Sequence, residues 1–160
     1  MKKIFLAFLF ALTGITSASA QFEKGKIYGG ASASGLGISY SETTKFAFGI
    51  DALAGYMFAD NLMAMAEVGF DFRNSDTQAL SAGARFRYYI VQNGLFLSLG
   101  AKYQHQFKSY NDFFLTPEVG YSFFLNRKVT IEPSIYYNMS LTDFGDKSRF
   151  GLKVGFGFFF

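Results

Sequence analysis

Split by parity, residues 149–160 fall into two surfaces of different chemistry. Phe150, Leu152, Val154, Phe156, Phe158 and Phe160 share one face, and Arg149, Gly151, Lys153, Gly155, Gly157 and Phe159 share the other. Successive side chains of a strand point to opposite sides, so a strand keeps these two sets apart where a helix would mix them. Residues 129–141 behave alike: Val129, Ile131, Pro133, Ile135, Tyr137, Met139 and Leu141 oppose Thr130, Glu132, Ser134, Tyr136, Asn138 and Ser140. The same alternation runs at 45–58, 62–73, 79–90, 95–107 and 113–125, with a less regular stretch at 26–40 before them. Eight segments result, each near the ~9–11 residues that a tilted strand needs to cross a bilayer.

Over the last seven segments the apolar face holds no Asp, Glu, Lys, Arg or Gly, and its clearly polar member is His105. The opposite face collects Asp51, Glu67, Asp71, Arg73, Arg85, Arg87, Lys102, Glu118, Glu132, Arg149 and Lys153, together with most of the strand glycines. The 22 phenylalanines exceed what the core of a soluble domain of this size hides. Eight staves leave an interior just wide enough to be filled by side chains, so the glycine-rich charged face fits inside and the aromatic face does not. Turned to water, that aromatic face would be a very large apolar patch. Turned to lipid it is what the solvent requires, since a basic side chain at the bilayer midplane costs about 2–4 kcal/mol. The expectation is an all-β, eight-stranded antiparallel up-and-down transmembrane β-barrel.

The breaks at 59–61, 91–94 and 126–128 are compact, and Asn93-Gly94 signals a type I′ hairpin turn. The breaks at 41–44, 74–77, 108–112 and 142–148 form the opposite set. An even number of strands puts both chain ends on one side, which for such barrels is the periplasm. Tyr56, Phe58, Tyr88, Phe123 and the terminal phenylalanines would then form a periplasmic aromatic girdle, and Tyr40, Phe46, Phe72, Phe107 and Phe113 an outer one. Pro117 and Pro133 each remove a ladder donor within a strand, so bulges or local breaks are expected there. A parity change near Ser34-Gly35 suggests a further bulge.

Ahead of the strands, Lys2 and Lys3 precede an uncharged apolar run from Ile4 to Leu12, and Ala18-Ser19-Ala20 follows. This is the order of a cleavable secretory signal peptide, and the run is too short for the roughly 20 residues of a spanning helix. Residues 1–20 are read as signal peptide and residues 21–160 as one barrel domain. Removing Lys2 and Lys3 takes the formal charge from +3 to +1, and no basic stripe suited to nucleic acid remains. Without cysteine there is no disulfide and no thiolate metal site.

With the cleavage site, the eight segments, Thr116-Pro117-Glu118-Val119-Gly120-Tyr121 and the alternating tail to Phe160, the chain resembles the small outer-membrane β-barrel family that includes the transmembrane domains of outer-membrane proteins A and X. The resemblance implies residence in the outer membrane of a Gram-negative bacterium, with outer-membrane lipid and lipopolysaccharide as surroundings. It also implies recognition by the barrel-assembly machinery through Phe156, Phe158 and Phe160. Its members include structural, adhesion-related and lipid-modifying proteins, so it does not name an activity.

The inward charges, five acids and six bases, are read as a closed ion-pair network replacing an apolar core. Centring the hairpin of the fifth and sixth strands near Tyr110 places Lys102 opposite Glu118, and centring the third and fourth near 74–77 brings Glu67 beside Arg85. His105 lacks a serine two residues on along its face, which leaves it without a nucleophile to activate. Neither a metal nor another cofactor is expected. The expected role is non-enzymatic: structural, envelope-integrity or surface-interacting. The alternatives are a lipid-modifying acyl hydrolase or transferase and, behind it, a narrow pore.

Overall fold

The computed structural model describes residues 22–34, 47–73, 77–90, 93–106, 110–142 and 148–160. The expected signal peptide, the loop at 41–44, most of the loops at 74–77 and 142–148, and Tyr40, Phe46 and Phe107 lie outside them. The strands are β1 (Ile27–Ser34), β2 (Ala47–Ala59), β3 (Leu62–Arg73), β4 (Thr77–Tyr89), β5 (Leu95–Gln106), β6 (Tyr110–Tyr121), β7 (Phe123–Phe124), β8 (Val129–Ser140) and β9 (Arg149–Phe159). β6 and β7 are two pieces of one stave, interrupted at Ser122, so nine segments build eight staves.

Every neighbouring pair is antiparallel, and pairing of β1 with β9 and of β8 with β6 and β7 closes the sheet on itself. From Leu115, hydrogen-bonded neighbours lead through Ala101, Ala84, Ala66, Ala54, Gly29 and Phe158 to Val129, whereas Leu115 itself pairs with Met139. One circuit therefore climbs ten residues, from 129 to 139. Such a stagger requires strands inclined to the axis, typically by about 35–45°.

The tight turn at Asp60-Asn61 is made by Asn61 at φ 63°. Asn93-Gly94 does not form the two-residue type I′ turn. Gly94 alone of the pair has positive φ, and Ile90 N donates to Leu95 O at 2.8 Å across a four-residue loop. In the third turn the Asn126 side chain accepts from Lys128 N and Val129 N.

At the two prolines the ladder breaks without a bulge. The β6–β8 register is unchanged from Phe114↔Ser140 to Phe124↔Thr130, yet pairs are missing at Thr116-Pro117 and at Tyr121-Ser122, opposite Pro133. Proline has no N–H to give, and the flanking pairs hold the strands in step. The expected bulge near Ser34-Gly35 falls at the edge of the described residues. The shift that is described lies between Met57 and Ala59.

The two faces separate by chemistry. Val68, Phe86, Leu99 and Phe150 are more than half exposed on the outer wall, while Arg85, Glu118 and Glu132 inside are 5 % exposed or less. The lumen is not polar throughout, as the alternation alone suggests. At the end where Phe22 and Phe160 lie, Phe22, Tyr28, Met57, Met63, Met65, Tyr89, Phe96 and Phe159 pack into an apolar core. Apolar packing there leaves few buried polar atoms to satisfy, and the hydroxyls of Tyr28 and Tyr89 find partners in the lumen behind.

Candidate functional site: the charged lumen

Next to the apolar core lies a first cluster around Arg87 and Glu132. Arg87 Nη1 donates to Glu132 Oε2 at 2.6 Å and to the Tyr89 hydroxyl at 3.1 Å, and its guanidinium stacks 3.9 Å from the centre of Phe96. Glu132 also accepts from the hydroxyls of Tyr28, Ser122 and Thr130, each at 3.0 Å. A buried carboxylate with one cation and three neutral donors is fully solvated by protein.

The second cluster centres on Arg85. Its Nε donates to Glu67 Oε2 at 2.8 Å, with Nη2 2.7 Å from the same oxygen, and its Nη1 donates to Glu118 Oε2. Lys153 Nζ donates to that Glu118 oxygen at 3.2 Å. Four strands, β3, β4, β6 and β9, thus meet in one network. Gly100 on β5 explains the reach from β4 to β6: it pairs with Arg85, and a Cβ there would already lie 3.5 Å from the guanidinium. A larger residue would fill the slot over which Arg85 crosses.

Farther from Phe22 the described hydrogen bonds come from neutral donors. Ser32 donates to Asp51 at 3.2 Å, Gln104 to Asp71 at 2.7 Å, Ser140 to Asp112 at 2.8 Å and Thr116 to Asn138 at 2.8 Å. Lys102 and Arg149 are half-buried on the same inner face. The side chain of Arg73 lies outside the described residues.

Lys102 is not opposite Glu118. The β5–β6 turn is centred between Gln106 and Tyr110, so Lys102 pairs with Phe114 and Glu118 with Ser98. Residues 110–112 belong to β6 rather than to a loop, which moves the register by four residues. Periodicity put Thr130 on the face of Glu132 but did not point to Phe22, which no strand carries, nor to the hydroxyl donors Tyr28 and Ser122. Their signal is a polar or tyrosine side chain within two rows of Glu132.

Phe156, Phe158 and Phe160 face outward, and Phe160 N and O exchange hydrogen bonds with Ile27, zipping β9 to β1. His105 is exposed on the outer face, its Nδ1 2.6 Å from the Asn111 amide oxygen of its cross-strand partner. An amide is no nucleophile. Among the described residues no three His, Asp or Glu side chains form a metal-holding group.

No curated protein matches the sequence. Solved structures share the fold at low identity. The N-terminal β-barrel domain of Pseudomonas aeruginosa OprF aligns at TM-score 0.67 and 13% identity, covering 86% of this chain and 98% of that one. Neisserial surface protein A aligns at 0.61 and 18%, covering 84% and 96%. Yersinia pestis Ail in a phospholipid nanodisc aligns at 0.57 and 16%, covering 86% and 100%. The family model for the outer membrane protein beta-barrel domain matches residues 5–160, and the chain belongs to that family.

Proposed function

We propose that this is a non-enzymatic outer-membrane barrel of a Gram-negative envelope, with a structural, envelope-integrity or surface-interaction role. The observation that carries the reading is a lumen filled by paired charges. The cavity bounded by Tyr28, Arg85, Arg87, Glu118, Glu132 and Lys153 has about 10 Å³, at the threshold for one water. An ion crossing that cavity would have to part the Arg85 and Arg87 pairs.

Residues 1–20 act as the export signal in this proposal, Phe156, Phe158 and Phe160 engage the assembly machinery, and both chain ends lie in the periplasm. Lipid and lipopolysaccharide surround the wall. An apolar groove on the outer wall passes Pro117 between Phe86, Leu99, Val119 and Tyr137. Lipid tails are as apolar as that lining, so the groove offers packing without a preference among chains.

Purified protein in liposomes tests the reading: no ion conductance and no deacylation or acyl transfer on bilayer lipid are expected. Steady single-channel conductance would make it a pore, and release of fatty acid would make it an enzyme.

A further inference from the structure

Phe22 is a large aromatic of the lumen that no strand carries, and it is fully buried. Its ring stacks on Tyr89 of β4 at 3.7 Å, with edge contacts to Phe124 of β7 at 5.4 Å and Phe159 of β9 at 5.8 Å. One side chain therefore bridges strands from separate parts of the wall. Residues 23–25, in contrast, are exposed. The segment is tied to the rim by backbone bonds, from Asn61 N to Phe22 O at 2.8 Å, Gly25 N to Met57 O at 2.8 Å and Met57 N to Lys26 O at 2.9 Å. Lys24 N also donates to Asp60 Oδ1 at 2.9 Å. Gly25, at φ +96°, turns the chain so that Phe22 enters the mouth while Ile27 joins the wall.

We propose that residues 22–26 are a detachable seal: Phe22 is the stopper, Gly25 the bend, and the layer kept dry behind it is the Arg87–Glu132 pair. The wall alone does not close this end. Without the ring, Tyr89, Phe124 and Phe159 would border a water-filled socket reaching Ser122 and Glu132. What is described of its hold is the ring contacts of Phe22 and hydrogen bonds at the rim, outside the strand ladders, so the strap can leave without unzipping any stave. The inference rests on the filled-lumen reading above and adds that this end is shut by a strap rather than by the barrel.

The cysteine-free sequence makes the test clean. Ser122 is buried and donates to Glu132, behind the stopper. Ser122→Cys is introduced into the full-length chain exported in a Gram-negative host, and its modification by a small charged methanethiosulfonate is followed by mass spectrometry. Slow labelling is expected with Phe22 in place, and labelling at least about tenfold faster with Phe22→Ala, because rate follows the open population. Phe22→Leu, which refills the socket, stays slow. Heat-modifiable gel migration reports folding. If Phe22→Ala does not fold, Gly25→Ala takes its place: its added Cβ meets nothing within 4 Å, so it strains only the bend, and it too is expected to speed labelling. Slow labelling in a folded Phe22→Ala or Gly25→Ala barrel overturns the seal and leaves the filled lumen standing. Fast labelling with Phe22 present overturns both.

Discussion

Replacing Arg85 with methionine keeps most of the side-chain volume and removes the charge that joins Glu67 on β3 to Glu118 on β6. Three donor contacts disappear together. Glu118 retains Lys153 at 3.2 Å, but Glu67 loses the two Arg85 contacts that neutralise it. Stranding one member of a buried pair costs about 3–5 kcal/mol, so Arg85→Met should destabilise by that amount. Glu67→Gln leaves Arg85 with Glu118 and should cost only about 1–2 kcal/mol, near one charged hydrogen bond. Because much of the first penalty is the orphaned carboxylate, the double variant should cost less than the two single costs added, by at least about 1 kcal/mol. The assay is reversible urea unfolding in lipid vesicles, followed by tyrosine fluorescence and heat-modifiable migration. Additivity within about 0.5 kcal/mol would show that the two residues do not share a network. Lys102→Met serves as the control: half-buried and without an ion pair among the described residues, it should change stability by under about 1 kcal/mol.

Gly83→Ala should destabilise by about 1–3 kcal/mol in the same assay, since its Cβ would lie 2.5 Å from the Ala101 carbonyl oxygen, a backbone atom that cannot swing away. Val68→Arg places a charge near the middle of β3 on the outer wall and should cost about 2–4 kcal/mol. A neutral result would mean that this face does not meet hydrocarbon. Arg87→Lys keeps the charge beside Glu132 but loses the planar stack on Phe96. A loss of about 1–2 kcal/mol in urea unfolding is expected, and none if the stack is incidental.

Much of the wall was legible because one solvent selects each face. Segments 62–73 and 129–141 match β3 and β8 to within a residue, and the charges assigned inward at Asp51, Glu67, Arg85, Arg87, Glu118, Glu132 and Lys153 are buried in the lumen. Partnership was less legible. Parity says that a residue faces inward but not how far round the cylinder its side chain reaches. Neighbour-strand reasoning therefore places Glu67 beside Arg85 but misses that Arg85 passes over Gly100 to Glu118, two strands away. The β5–β6 offset shows a second limit: Tyr110, Asn111 and Asp112 read as loop, and only their pairing with Gln106, His105 and Gln104 reveals strand. Phe22 lies in no periodic stretch, so alternation is silent about it. Its position depends on the bend at Gly25 and on rim hydrogen bonds that form only once the wall exists.

The missing pairs at Pro117 and opposite Pro133 give the cylinder a perforated edge. Among the described residues the closure of β1 onto β9 is one unbroken run, whereas the join between β6–β7 and β8 is stitched in three short runs. Inside hydrocarbon a backbone carbonyl without a donor has no water to turn to, so such gaps are costly and concentrate weakness in one line. A force that peels this sheet open meets ready-made gaps along that line, where the closure of β1 onto β9 offers none among the described pairs.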